Sequence, residues 1–186
     1  CGIKYLVVNK NQDLKKLTNL IKFSKKNNSP VACLFKMNAF KSKSKPKKIL
    51  SKYSIQRNDF IYSFLKDIPK NSKIIATTGF TARELYQTRE KNNFIKGDDF
   101  YMVGGMGHTS SVGLGMSLKS KKNIFCLDGD GSLLMQMGAI RTIGSFGNKN
   151  FKHIMFNNNL HESVGNQTTN ADGINFKSLI KSLGYK

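Results

Sequence analysis

The chain has no tryptophan, only 3 prolines and only 3 cysteines among its 186 residues. Cys1, Cys33 and Cys126 are odd in number and widely spaced, which excludes a disulfide framework and a paired-cysteine metal or redox site and leaves ordinary reduced thiols. So little proline, with 16 glycines in no strict period, excludes a collagen-like or low-complexity chain. Long apolar runs are missing as well. Nothing approaches the roughly 18 uninterrupted apolar residues of a membrane helix, and the opening CGIKYLVVNK lacks the apolar centre and cleavage site of a signal peptide. These absences predict a soluble, cytoplasmic chain. Acidic residues are scarce too: 11 Asp and Glu stand against 31 Lys and Arg, a formal net charge of +20. That balance suits a nucleic-acid-binding domain, yet the basic residues are scattered over every kind of segment. The one dense run, Lys41, Lys43, Lys45, Lys47 and Lys48 in KSKSKPKK, carries serine and proline and reads as a solvated linker.

What is present is a core. Hydrophobic residues make up 39% and recur along the whole length, one domain's worth or slightly more. Residues 2–8 read as a strand, Asp13 is placed to cap a helix with Leu14, Leu17, Leu20 and Ile21 on one face, and 30–35 read as a second strand. This β-α-β piece, residues 1–40, looks like the end of a preceding domain. The Lys-rich linker follows over 41–57, and residues 58–186 form a second unit. There the expectation is a helix over 59–68, a strand over 73–77, a helix over 81–89, a Gly-rich turn and a helix over 108–118. A strand over 123–127, a helix over 133–143, a strand over 151–156 and a helix over 176–183 complete the pattern. Alternation of this kind predicts an α/β fold, an open parallel sheet with helices on both faces. A start at Cys1 and a stop at Lys186, where another strand is due, predict a chain truncated at both ends.

The sharpest feature is the stretch LDGDGSLLMQMGAI, where a strand runs through Gly129, Asp130, Gly131 and Ser132 directly into a helix. The glycines allow close backbone approach to a ligand, Ser132 offers a hydroxyl and an amide, and a helix N-terminus favours an anion such as phosphate. Asp130 faces the same place. A carboxylate beside an anion requires a cation between them, and Mg²⁺ held by protein and diphosphate oxygens answers this. A second oxygen donor comes one helix and one strand later, in Asn157, Asn158 and Asn159. Both loops would lie at the carboxyl ends of neighbouring parallel strands, where open α/β sheets bind ligands.

A GDG turn followed by a helix, a strand and Asn-Asn resembles the thiamine diphosphate enzymes. TTGFTARELYQTRE at 77–90, GGMGHTSSVGLGMSL at 104–118, GDGSLLMQMGAIRTIG at 129–144 and NNNLHESVGNQTT at 157–169 together resemble the phosphonopyruvate decarboxylase family and its neighbour, the sulfopyruvate decarboxylase β chain. The likeness runs from about residue 58 to the end. The stretch PVACLFKMNAF resembles the close of that family's pyrimidine-binding domain, which favours the single-chain phosphonopyruvate type. The resemblance implies thiamine diphosphate and Mg²⁺ as cofactors. It implies that Asp130, the Asn158 side chain and the Leu160 carbonyl hold the metal, and that Gly131 and Ser132, with Thr78 and Gly79, hold the diphosphate. Met106 would wedge beneath the bent cofactor and Gly104 would offer its carbonyl to the pyrimidine amino group. His108, His161, Glu162 and Ser163 would lie near the reacting carbon. The implied reaction is decarboxylation of 3-phosphonopyruvate to phosphonoacetaldehyde and CO₂, in an active site between two domains of a homodimer or higher oligomer. The activating glutamate would belong to the pyrimidine-binding domain, outside this chain, so the chain alone would be inactive.

Several features have plainer readings. Asn166 and Thr168 in SVGNQTT stand where the family shows SVGGQPT, which leaves sulfopyruvate and other 2-oxo acids open as substrates. Core packing is an alternative for Met106 and the preferred reading for Met135 and Met137. His153, between apolar neighbours on a strand, reads as structural. Arg83 and Glu84 on one helix would pair with each other or reach an interface.

Overall fold

The computed structural model describes residues 2–37, 39, 54–94 and 99–185. The basic run of KSKSKPKK therefore lies outside the described residues. The chain divides into two compact units, Cys1–Leu50 and Ser51–Lys186. No described helix is long and apolar enough to cross a membrane.

In the first unit, β1 (Lys4–Val8) and β2 (Val31–Phe35) pair in parallel, with α1 (Leu14–Asn27) as the crossover that parallel strands require. Val8 and Leu20 are buried, whereas Ile21 is exposed. Asp13 stands at the start of α1 but does not cap it. Its Oδ2 turns back to accept the amides of Asn9 at 2.9 Å and Lys10 at 3.2 Å, closing the short turn after β1. Those backbone bonds, Asn9 first, hold its carboxyl below the usual carboxylate range. The helix ends where Asn28 enters the left-handed region, a conformation asparagine tolerates.

The second unit begins with α2 (Arg57–Asp67), β3 (Lys73–Ala76), α3 (Phe80–Lys91), β4 (Phe100–Tyr101) and α4 (Thr109–Lys119). It continues through β5 (Ile124–Gly129), α5 (Asp130–Met135), α6 (Gly138–Phe146), β6 (Phe151–Phe156), β7 (Leu160–His161), β8 (Gln167–Thr168) and α7 (Phe176–Ser182). The main sheet has the order β4-β3-β5-β6 with every pair parallel. It is the open parallel α/β sheet that the alternation predicts. Because side chains alternate across a sheet, Ile74, Ala76 and Leu127 pack on one face against Ile61 and Leu65 of α2 and Leu85 of α3. Phe60 and Phe64 meet Phe156 and Phe125 edge-on there. Each such fully buried Ile or Leu contributes about 1.5–3 kcal/mol. The other face is covered by α4, whose Gly113 lies so close that an added Cβ would come 2.7 Å from the Phe151 ring.

This strand order creates the place for a ligand. From β3 the chain crosses through α3 to β4 on one side, then returns through α4 to β5 on the other side of β3. The connections diverge between β3 and β5, so a crevice opens at their carboxyl ends.

Some local elements differ from the expectation. The helix expected over 133–143 is two helices, because Gln136 leaves helical geometry and α6 starts afresh at Gly138. Met135 and Met137 flank that break and point outward, 56% and 41% exposed, so they are not core residues. The two-residue β4 and the β7–β8 hairpin are too short to leave a periodic signal. The pairing of Leu160 with Thr168 and of His161 with Gln167 is antiparallel.

Candidate functional site

Three chain reversals meet at the crevice. The first is Thr77-Thr78-Gly79 after β3, where the Thr77 amide extends the sheet to Leu127 O at 2.8 Å. The second is Gly129-Asp130-Gly131-Ser132 between β5 and α5, and the third is the loop from Asn157 after β6. Together they line one open cleft. Thr78, Met106, Gly129, Asp130, Gly131 and Ser132 all line it, as do Asn158, Leu160, His161, Glu162 and Ser163. Gly79 sits at its edge: a Cβ there would lie 2.9 Å from Ser163 Oγ. Gly104 and His108 are not among the lining residues. Both are exposed, Gly104 in a turn and His108 as the residue that opens α4.

Buried polar contacts hold the reversals in register. The Ser132 hydroxyl accepts the Thr77 hydroxyl at 3.1 Å and the Gly107 amide at 3.0 Å. It thus joins the end of β3, the 104–107 turn and α5. Gly107 is required there, since its φ is +90° and a Cβ would meet Gln136 at 2.8 Å. Asp130, 3% exposed, accepts the Thr169 hydroxyl on Oδ2 at 2.5 Å. Asn158 Oδ1 accepts the Leu160 amide at 3.0 Å, and its Nδ2 donates to Glu162 Oε2 at 3.4 Å. Asn159 Oδ1, in the same loop, is buried without a partner among the described residues.

Arg57 was not singled out by the sequence, yet it lines the cleft. It grips Glu84 through two bonds of 2.9 and 2.8 Å and donates to Glu162 at 3.0 Å. Burial alone would lower its pKa, but the bonds and charge of Glu84, then of Glu162, hold it above the ordinary guanidinium value. Glu84 is therefore paired with Arg57, not with Arg83, because neighbours on a helix point apart. Arg83 instead lies over the Phe80 ring. Arg57 is 27 residues from Glu84 and 105 from Glu162, so no local pattern reveals it. Thr169 was missed as well, although it closes the run NNNLHESVGNQTT. Asn166 adopts φ +59°, a left-handed conformation that asparagine tolerates.

A second cluster lies on the α4 face of the sheet. Cys126, Asp128 and His153 offer potential ligand atoms within 4.8 Å of one another. His153 Nε2 meets Asp128 Oδ2 at 3.3 Å and its Nδ1 meets the Tyr185 hydroxyl at 3.0 Å. Through these two contacts His153, on β6, links Asp128 of β5 to Tyr185. Burial, with Asp128 adding to it, pushes the Cys126 thiol well above its ordinary value.

Residues 75–184 match the family described as "Thiamine pyrophosphate enzyme, C-terminal TPP binding domain". That is more than half of the chain, and the protein belongs to this family. Among individual proteins, it is 34% identical over 122 residues to a phosphonopyruvate decarboxylase of Streptomyces viridochromogenes, spanning 66% of this chain and 30% of that one. It is 32% identical over 130 residues to the sulfopyruvate decarboxylase subunit beta of Methanocaldococcus jannaschii, spanning 69% of this chain and 66% of that one. The counterpart in Methanothermobacter thermautotrophicus is 36% identical over 112 residues, or 60% and 58%. The chain is related to both kinds of decarboxylase, and it spans about 30% of the length of the phosphonopyruvate decarboxylase.

Proposed function

We infer that this chain is the diphosphate-binding part of a thiamine diphosphate and Mg²⁺ dependent 2-oxo acid decarboxylase acting on 3-phosphonopyruvate, releasing phosphonoacetaldehyde and CO₂. The observation that carries the reading is the convergence of Asp130, Asn158 and Leu160 on one cleft at the divergence of β3 and β5. The donor set fits the cofactor pair. A carboxylate, an amide oxygen and a backbone carbonyl are the hard ligands Mg²⁺ prefers when phosphate oxygens complete its shell. The uncompensated buried Asn159 oxygen in the same loop is the kind of group an ion or ordered water relieves.

Thiamine diphosphate supplies, when bound, the nucleophilic carbon and the electron sink for decarboxylation. The chain's own residues bind and shield. Thr78 and Gly79 with Gly131 and Ser132 would hold the diphosphate, Ser132 through its backbone because its hydroxyl is engaged by Thr77 and Gly107. Met106 would support the cofactor from within the cleft, with Gly104 at the pyrimidine. His161, Glu162 and Ser163 line the cleft where a substrate would approach, while His108 would need a rearrangement or a partner chain to reach it. In this reading residues 1–40 close a pyrimidine-binding domain, and the complete site forms between two domains of a homo-oligomer.

The similarity to sulfopyruvate decarboxylase β subunits, which extends over 66% of the Methanocaldococcus jannaschii protein, supports a second reading with sulfopyruvate as substrate. The two acids differ by one charge at neutral pH. The intact gene product, with thiamine diphosphate and Mg²⁺, is offered phosphonopyruvate, sulfopyruvate and pyruvate side by side, with Asp130→Ala as control. A preference for phosphonopyruvate that the substitution abolishes is expected. A preference for sulfopyruvate replaces the substrate, and cofactor binding without turnover of any of the three removes the assignment.

A further inference from the structure

Thr169 closes a loop whose other residues face solvent. Residues 162–168 are all exposed, whereas Thr169 is 9% exposed. Two bonds pull it inward. Its amide donates to Asn159 O at 3.1 Å, and its hydroxyl donates to Asp130 Oδ2 at 2.5 Å. The first bond fastens the open end of the β7–β8 hairpin beside Asn158 and Leu160, and the second reaches the turn after β5. Its methyl group packs on Gly131, where an added Cβ would lie 3.0 Å from Thr169 Cγ2. A β-branched side chain held on both sides keeps one χ1 rotamer, so the hydroxyl cannot swing away.

We propose that Thr169 is a positioning residue for the divalent cation: it occupies Asp130 Oδ2, leaves Oδ1 as the oxygen offered to the metal, and sets the gap between Asp130 and the Asn158–Leu160 loop. The proposal rests on the reading of Asp130 and Asn158 as cation ligands. Its physical basis is that a ligating carboxylate is oriented by the donor on its other oxygen, without which it rotates and the donor set loses its shape. The Ser132 hydroxyl, by contrast, is engaged by Thr77 and Gly107.

The test measures Mn²⁺ binding by electron paramagnetic resonance on the intact gene product with thiamine diphosphate, and Mg²⁺ by competition. Thr169→Val keeps the shape and removes the hydroxyl, and the loss of affinity expected is about 10- to 100-fold. Thr169→Ser keeps the hydroxyl and stays within about threefold of wild type, a rescue that a purely packing role would not produce. Wild-type affinity in Thr169→Val overturns the proposal, as does a tenfold loss in Thr169→Ser. If the valine variant does not fold, the serine variant decides alone. Wild-type protein that binds Mn²⁺ no better than Asp130→Ala overturns the cation reading itself, an outcome visible before any Thr169 variant is examined.

Discussion

Replacing Arg57 by methionine tests the charge network at the cleft. Arg57 and Glu84 are 16% and 24% exposed, and they are joined by two bonds of 2.9 and 2.8 Å. Exposed pairs contribute about 0–1 kcal/mol, and breaking a fully buried pair costs about 3–5 kcal/mol because one charge is stranded. This pair sits between those limits, so Arg57→Met is expected to cost about 2 kcal/mol, with the bond to the more exposed Glu162 a minor part. Glu84→Leu removes the other charge and strands Arg57 less severely, since Glu162 still faces it; its expected cost is about 1 kcal/mol. The double variant strands no charge on this pair, so its loss should fall short of the sum by about 1 kcal/mol. Urea unfolding followed by circular dichroism provides the cycle, read from midpoints at constant slope. Additivity within about 0.3 kcal/mol, or a loss below about 0.5 kcal/mol for Arg57→Met, would refute the argument that the fork is a coupled, partly desolvated unit.

Two glycines of α4 give opposite expectations. Gly113→Ala drives a Cβ to 2.7 Å from the Phe151 ring and should destabilise by about 1–3 kcal/mol, while Gly115→Ala meets nothing within 4 Å and should stabilise by about 0.5–1 kcal/mol, both read by thermal unfolding. In Gly131→Ala the new Cβ would sit 2.6 Å from the His161 ring, so thiamine diphosphate binding measured by calorimetry should weaken at least about tenfold as the loop is pushed from the cleft. Cys126 is buried with its thiol held neutral; at pH 8 a maleimide should label Cys33 in the folded protein and reach Cys126 only on unfolding. Rapid labelling of Cys126 in the folded state would contradict that burial.

The parts of the fold that were legible in the sequence are those with a strong local signal. The strand over Phe151–Phe156, FKHIMF, is mostly apolar and bounded by Asn-rich turns, and it stands where it was expected. The GDG and Asn-Asn loops were legible as a pair because their strands are neighbours, with Gly129 opposite Phe156 in the register. The break at Gln136 was not, since Leu133 to Ile143 keeps an apolar pattern across it and nothing local shows the turn that exposes Met135 and Met137. Arg57 and Thr169 stayed hidden for a different reason. Their partners Glu84 and Asp130 are far away in sequence, and a charge or hydroxyl carries no mark of which distant group it will meet. Asp13 shows the converse, a residue type suited to capping that found two closer amides.

The hairpin between His161 and Thr169 is held at its ends and bare in the middle. Surface substitutions away from such anchors usually shift stability by no more than about 0.5 kcal/mol. Val164, 74% exposed, can therefore drift through generations of mutation at little cost to the folded state, while Asn159 and Thr169 keep the hairpin's feet planted beside Asp130. Asn166, in the middle of that hairpin, adopts the left-handed turn itself, at φ +59°.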